Sequence, residues 1–231
     1  MAKRAATSLL PTTVRRSLSM GRLYIVLGTV ISVFLAIVLV RSPHAVFATT
    51  YPLEVPLFAI LGSTGGILVF SGDRTKGVFE YLIAYGVKPV TLFVNGLLAA
   101  ITVSTIMLGA ILALGLGIFF GHGGVNTLDL DKSLGLYSVP MTYAGTVFFT
   151  TVAMYWAALA TPRMGMNSPV GIAPLLGVGP TILILLVAET SPVADFYYIT
   201  AGGAGVVGAA SVVLIVLSGK LMSRERFLSP M

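Results

Sequence analysis

Six long apolar stretches, almost free of charged side chains, constrain this 231-residue chain more than any other feature. A hydrocarbon core roughly 30 Å thick takes about 20 mostly apolar residues in a helix. The stretches fall at about residues 23–40, 55–70, 90–120, 139–160, 170–188 and 196–217, the second beginning as early as Tyr51. Composition agrees: 56% of residues are hydrophobic, 10% are charged and mean hydropathy is +0.98, whereas soluble domains carry about 25% charged residues. The expected fold class is all-α, a polytopic membrane protein with six transmembrane helices in one domain at 23–219. Short segments at 1–22 and 220–231 flank it.

Charge placement orients these spans. With the N-terminus inside, the inner segments hold Lys3, Arg4, Arg15, Arg16, Arg22, Arg74, Lys76, Lys88, Arg163, Lys220, Arg224 and Arg226. The outer loops hold only Arg41 and Lys132, so twelve of the 14 basic residues are inside, as the positive-inside rule requires. Glu54, Asp129, Asp131, Glu189 and Asp195 fall outside. Both termini are therefore expected in the cytoplasm of a multi-pass cell-membrane protein. The net charge of +6 follows from this topology and calls for no nucleic-acid partner, since no basic, aromatic-interleaved patch accompanies it. The basic N-terminal segment sets orientation, with contact to anionic lipid as a second reading. The run at 23–40 exceeds the 7–15 apolar residues usual in a signal peptide and reads as an uncleaved span.

Several motifs point away from soluble chemistry. Gly203 to Gly208 fits G-x-G-x-x-G, but a dinucleotide site needs a preceding strand and a complete βαβ unit, and this motif lies inside an apolar span. Ala201, Gly205 and Ala209 recur there at four-residue spacing, the pattern of small-residue helix packing. No G-x-x-x-x-G-K-[ST] run occurs, so no ATP site of that kind is expected. His44 and His122 lie in outer loops without a metal-ligand repeat, and the chain has no cysteine. Neither a metal nor a cofactor is expected in this chain. No ionisable residue sits near the middle of a span, which disfavours a proton- or sodium-coupled carrier. It also leaves no acid–base pair for an intramembrane enzyme.

The segment 71–89, between the second and third spans, is the charged link that looks built for a task. Asp73 can cap a helix start after Gly72, and Gly86 with Pro89 can end it. Val78, Phe79, Leu82 and Ile83 share a helical face, while Lys76, Glu80 and Lys88 lie opposite, with Lys76 and Glu80 spaced to pair. The expected element is a short amphipathic helix along the inner surface.

This segment resembles the cytoplasmic loop of the type-2, exporter-like ABC transporter permeases, a family of six-span membrane subunits. Gly77-Val78-Phe79-Glu80-Tyr81-Leu82 stands against that family's G-T-L-E-x-L-like run and is entered through Asp73-Arg74-Thr75-Lys76. Gly86 replaces the family's usual turn proline, and Asn95-Gly96 stand near the place of a lysine. Specific likeness is confined to this loop; topology and length extend it over the chain. The resemblance implies a coupling helix that docks into a separate cytosolic ATPase, with two permeases and two ATPases in the working unit. Asp73, Lys76, Gly77, Val78, Phe79, Glu80 and Leu82 would form the coupling site. Lys76 and Glu80 would meet the ATPase, while Val78, Phe79 and Leu82 would seat the helix. A second permease copy would bound the translocation path.

Thr142, Thr146 and Thr150 share one face of the fourth span. They are candidates to line that path, or else to form helix–helix hydrogen bonds. The alternative function is a non-transporting structural subunit of a larger membrane complex, which glycine-rich spans without buried charge suit equally well.

Overall fold

In a computed structural model, residues 2–23, 26, 29–30, 51–121, 138–159 and 193–222 are described, and all their regular elements are α-helices. In chain order these are α1 (Ala2–Met20), α2 (Tyr51–Thr75), α3 (Val78–Ala84), α4 (Pro89–Gly121), α5 (Ser138–Leu159) and α6 (Val193–Leu221). The protein is thus all-α as far as it is described. Among the described residues two helices, over Pro89–Ala110 in α4 and Tyr198–Leu221 in α6, are long and apolar enough to cross a membrane.

The four apolar runs that fall within the described residues are helical, and α2 is the informative one. α2 begins at Tyr51 and continues to Thr75, well past the apolar run, so Asp73 and Arg74 are helical. The expected span at 170–188 and most of that at 23–40 lie outside the described residues. The basic N-terminal segment is helical. Leu10, Val14, Ser17 and Gly21 recur at helical spacing and turn toward the protein, whereas Thr12, Arg15, Ser19 and Arg22 are exposed. α1 packs against both α2 and α4.

Close helix crossings depend on missing side chains. A Cβ on Gly65 would lie 2.6 Å from the Ser17 carbonyl oxygen and 2.8 Å from the Gly21 Cα, so α1 and α2 touch backbone to backbone. One residue on, a Cβ on Gly66 would meet the Ala100 Cβ at 2.5 Å, which fixes the crossing of α2 and α4. Such approaches bring many atoms into van der Waals contact and allow Cα–H···O contacts.

The core lies among α2, α4 and α5, centred on Phe70, Phe93, Leu97, Phe149 and Met154. α6 packs on α5, and the buried Tyr155 hydroxyl donates to the Leu214 carbonyl of α6. The opposite side of α6 is uncovered among the described residues. Ala201, Gly205 and Ala209 are exposed, and a Cβ on Gly205 would meet nothing within 4 Å. The expectation that these three form a close-packing seam is therefore not met within the described chain. The packed glycines are instead Gly21, Gly65, Gly66 and Gly96, whose neighbours leave no room for a Cβ.

Candidate functional site

The junction of α2, α3 and α4 gathers the residues singled out in the 71–89 segment. α2 ends at Thr75, whose hydroxyl donates back to the Ser71 and Gly72 carbonyls, at 3.2 and 3.0 Å, a side-chain bond that competes with the backbone ladder. Gly77 then takes φ +71°, a left-handed conformation that costs glycine nothing. It serves both helices. Its N–H donates to the Arg74 carbonyl at 3.1 Å, and its own carbonyl accepts from Tyr81 N–H at 3.2 Å.

The far end closes with a second glycine. Gly86 has φ +87° and donates to the Ile83 carbonyl, while Val87 N–H donates to the Leu82 carbonyl, at 3.0 and 3.1 Å. This is the Schellman pattern, and the contact it favours between C″ and C3 falls on Val87 and Leu82, both packed at the core margin. Pro89 opens α4, where its fixed φ and missing N–H are harmless.

Seven residues make α3, too few to hold a helix alone in water. The two glycine joints and its inner face hold it. Phe79 and Ile83 are buried, Val78 and Leu82 are half-buried, and Glu80, Tyr81 and Ala84 are exposed, as the spacing of apolar residues predicts. The Phe79 ring lies 4.9 Å from that of Phe70 on α2, which meets Phe93 on α4 at 6.2 Å. Phe93 in turn lies 4.9 Å from Tyr155 on α5. A continuous run of rings thus joins α3 through α2 and α4 to α5, and the Tyr155 hydroxyl carries it to α6.

Two expectations for this loop are corrected. Asp73 does not cap α3. The cap position is Gly77, with no side-chain cap hydrogen bond, because α2 runs on through Asp73. Its carboxylate instead accepts two hydrogen bonds from Arg16 of α1, at 2.8 and 2.6 Å, a bidentate geometry of the stronger kind. That contact holds the Arg16 pKa above its ordinary value. Nor do Lys76 and Glu80 pair; the ion pair found among the described residues is Arg16–Asp73. Lys76 stands in the turn before α3, so the four-residue spacing does not set it over Glu80 on one helix. Glu80 occupies the third helical position, where a carboxylate complements the helix dipole.

Residues that local spacing does not reveal complete the site. Arg74 is only 8% exposed and donates to the Ala157 carbonyl at 2.8 Å. That carbonyl lies in the last described turn of α5. Burial lowers the Arg74 pKa from its ordinary value. Adjacent residues of α2 thus hold two different helices, Asp73 holding α1 and Arg74 the end of α5. A cavity of about 240 Å³ lies beneath α3, between α1, α2 and α4, with Thr12, Arg16, Phe79 and Asn95 in its wall.

The threonine stripe lies elsewhere. Thr146 and Thr150 are buried, and the Thr150 hydroxyl donates to the Thr146 carbonyl at 2.7 Å. That bond lies within α5 and is not a helix–helix contact; the Thr142 side chain lies outside the described residues. Comparison of the chain with protein-family models, curated proteins and solved structures finds no match.

Proposed function

We propose that this chain is the membrane-spanning permease subunit of an ATP-driven transporter of the ABC exporter type. In this reading six spans cross the cell membrane, both termini are cytoplasmic, and a separate cytosolic ATPase binds at α3. The observation that carries it is the build of α3: a short helix locked between two left-handed glycines, seated on the core by Phe79 and Ile83. Its other side offers Glu80, Tyr81 and Ala84 outward. A rigid lever of that kind is what a coupling helix requires, and the ring contacts from Phe79 to Tyr155 offer a mechanical route into the helices behind it. Of the expected coupling residues, Glu80 and Lys76 remain on the docking side, Val78, Phe79 and Leu82 seat the helix, Gly77 is its joint, and Asp73 braces α1.

Purification of the full chain from its native membranes in mild detergent tests this reading. A P-loop ATPase is expected to copurify, and Glu80→Lys to reduce its retention about tenfold, as reversal of an interfacial charge does. A preparation that carries no P-loop protein sinks the proposal. Orientation has its own test, helped by the absence of native cysteine. A thiol reagent that cannot cross the membrane is expected to label Lys132→Cys in intact cells and to leave Lys76→Cys and Lys88→Cys unlabelled. Labelling of the last two from outside refutes the topology.

One observation favours the second reading, a structural subunit of a larger membrane complex. The uncovered side of α6, with Val206, Val212 and Val216 exposed, suits association with other membrane helices as well as with lipid. That reading predicts copurifying membrane subunits without a P-loop protein.

A further inference from the structure

Tyr81 and Tyr85 stand four residues apart, so one follows the other along the same side of the α3 turn. They are 63% and 72% exposed, and their rings meet at 4.6 Å between centroids. Among the described residues the pair takes no part in the core, where Phe79 and Ile83 already fill the seat of α3. Exposed Lys76 and Lys88 flank the pair in sequence, and Glu80 precedes it, giving this short segment two positive charges to one negative. Tyrosines with few rotatable bonds, ringed by charged groups, are the usual anchors of protein interfaces.

We infer that Tyr81 and Tyr85 together form the anchor by which α3 docks into its cytosolic ATPase, in a groove apolar at its floor, with acidic groups facing Lys76 and Lys88 and a basic group facing Glu80. This rests on the permease reading and adds the residues that carry the affinity. A protein groove suits the pair better than a lipid surface does. A helix that lies on a membrane turns its apolar face toward the acyl chains, and the apolar face of α3 is already spent on the protein core. The glycine joints at Gly77 and Gly86 hold the tyrosines in a fixed presentation, which lowers the ordering cost of binding.

The test compares full-length Tyr81→Ala/Tyr85→Ala, Tyr81→Phe/Tyr85→Phe and Glu80→Lys proteins, purified from native membranes in mild detergent. Retained P-loop protein is quantified by mass spectrometry. Because both side chains are exposed, the alanine and phenylalanine variants are expected to melt with the wild type. The alanine pair is expected to lose tenfold or more of the ATPase, a greater loss than Glu80→Lys causes, and the phenylalanine pair to keep most of it. A photoreactive phenylalanine analogue at position 81 or 85 is expected to form adducts with that ATPase. Wild-type retention by the alanine pair overturns the anchor while leaving the permease reading intact if Glu80→Lys still weakens association. Adducts with lipid alone overturn it in favour of membrane anchoring. Absence of any P-loop protein from the wild-type preparation overturns both.

Discussion

Gly66→Ala, a single added methyl group, is expected to lower the melting temperature of the detergent-solubilised protein sharply. The methyl would stand 2.5 Å from the Ala100 Cβ, 2.7 Å from its Cα and 3.1 Å from its backbone nitrogen. Overpacking a core typically costs 1–3 kcal/mol, sometimes more, and flexible side chains absorb part of that. Here the obstacle is another helix backbone, so the loss belongs at or above ~3 kcal/mol. Ala100→Gly in the same chain removes the nearest contact but leaves the Cα in place, and is expected to restore only part of the stability. Gly208→Ala supplies the contrast. A Cβ there meets nothing within 4 Å, and alanine is the better helix former by about 1 kcal/mol, so that variant should melt at or above the wild type. If Gly66→Ala and Gly208→Ala melt together, the α2–α4 crossing described here is wrong.

The difference between these two glycines also marks the limit of what local sequence conveys. The small residues of α6 at four-residue spacing carry a recognised packing signature, yet they are exposed within the described chain. Gly62 and Gly66 on α2 stand at the same spacing, and there Gly66, with its neighbour Gly65, makes close contacts with another helix. Spacing records which residues share a face of one helix. It does not record which helix arrives there. α3 was legible for the same reason: its seat, Phe79 and Ile83, and its terminating Gly86 are all local signals. Ile83 lies on that same apolar face, whereas the exposure of Tyr81 and Tyr85 depends on where the core stands, which the spacing within α3 does not record.

Asp73 shows the converse. Following Gly72 and preceding an amphipathic segment, it has the form of a helix cap, whereas its partner Arg16 is 57 positions away in sequence. Such long-range pairing leaves no trace in a local pattern. The same holds for Arg74, whose acceptor on Ala157 is 83 positions away. Basic residues at the inner end of a span satisfy the positive-inside rule without further explanation, so Arg74 reads as topology alone. Its burial gives it a second task, and that task sets a larger effect than its charge at a surface would.

Arg74→Glu is accordingly expected to be the most damaging charge substitution at this junction. The guanidinium is 8% exposed and reaches the carbonyl of Ala157 on α5. A carboxylate there would be desolvated, deprived of a cation, and directed at a carbonyl oxygen that it can only repel. An uncompensated buried charge costs about 3–5 kcal/mol. Arg74→Met is the informative companion. It leaves the Ala157 carbonyl without this donor, a loss of about 1–3 kcal/mol, but it also removes the cost of burying a cation, which Arg74's lowered pKa records. Methionine should therefore fall well short of glutamate in damage, and lysine should lie between them, since its shorter contact to one carbonyl keeps the charge without the planar fork. Melting curves at low and high salt separate this from a surface effect. A buried contact is screened little, so the ordering methionine, lysine, glutamate should persist in salt. Equal melting of the methionine and glutamate variants would show that Arg74 contributes only its positive charge near the membrane, and that α2 does not hold the end of α5.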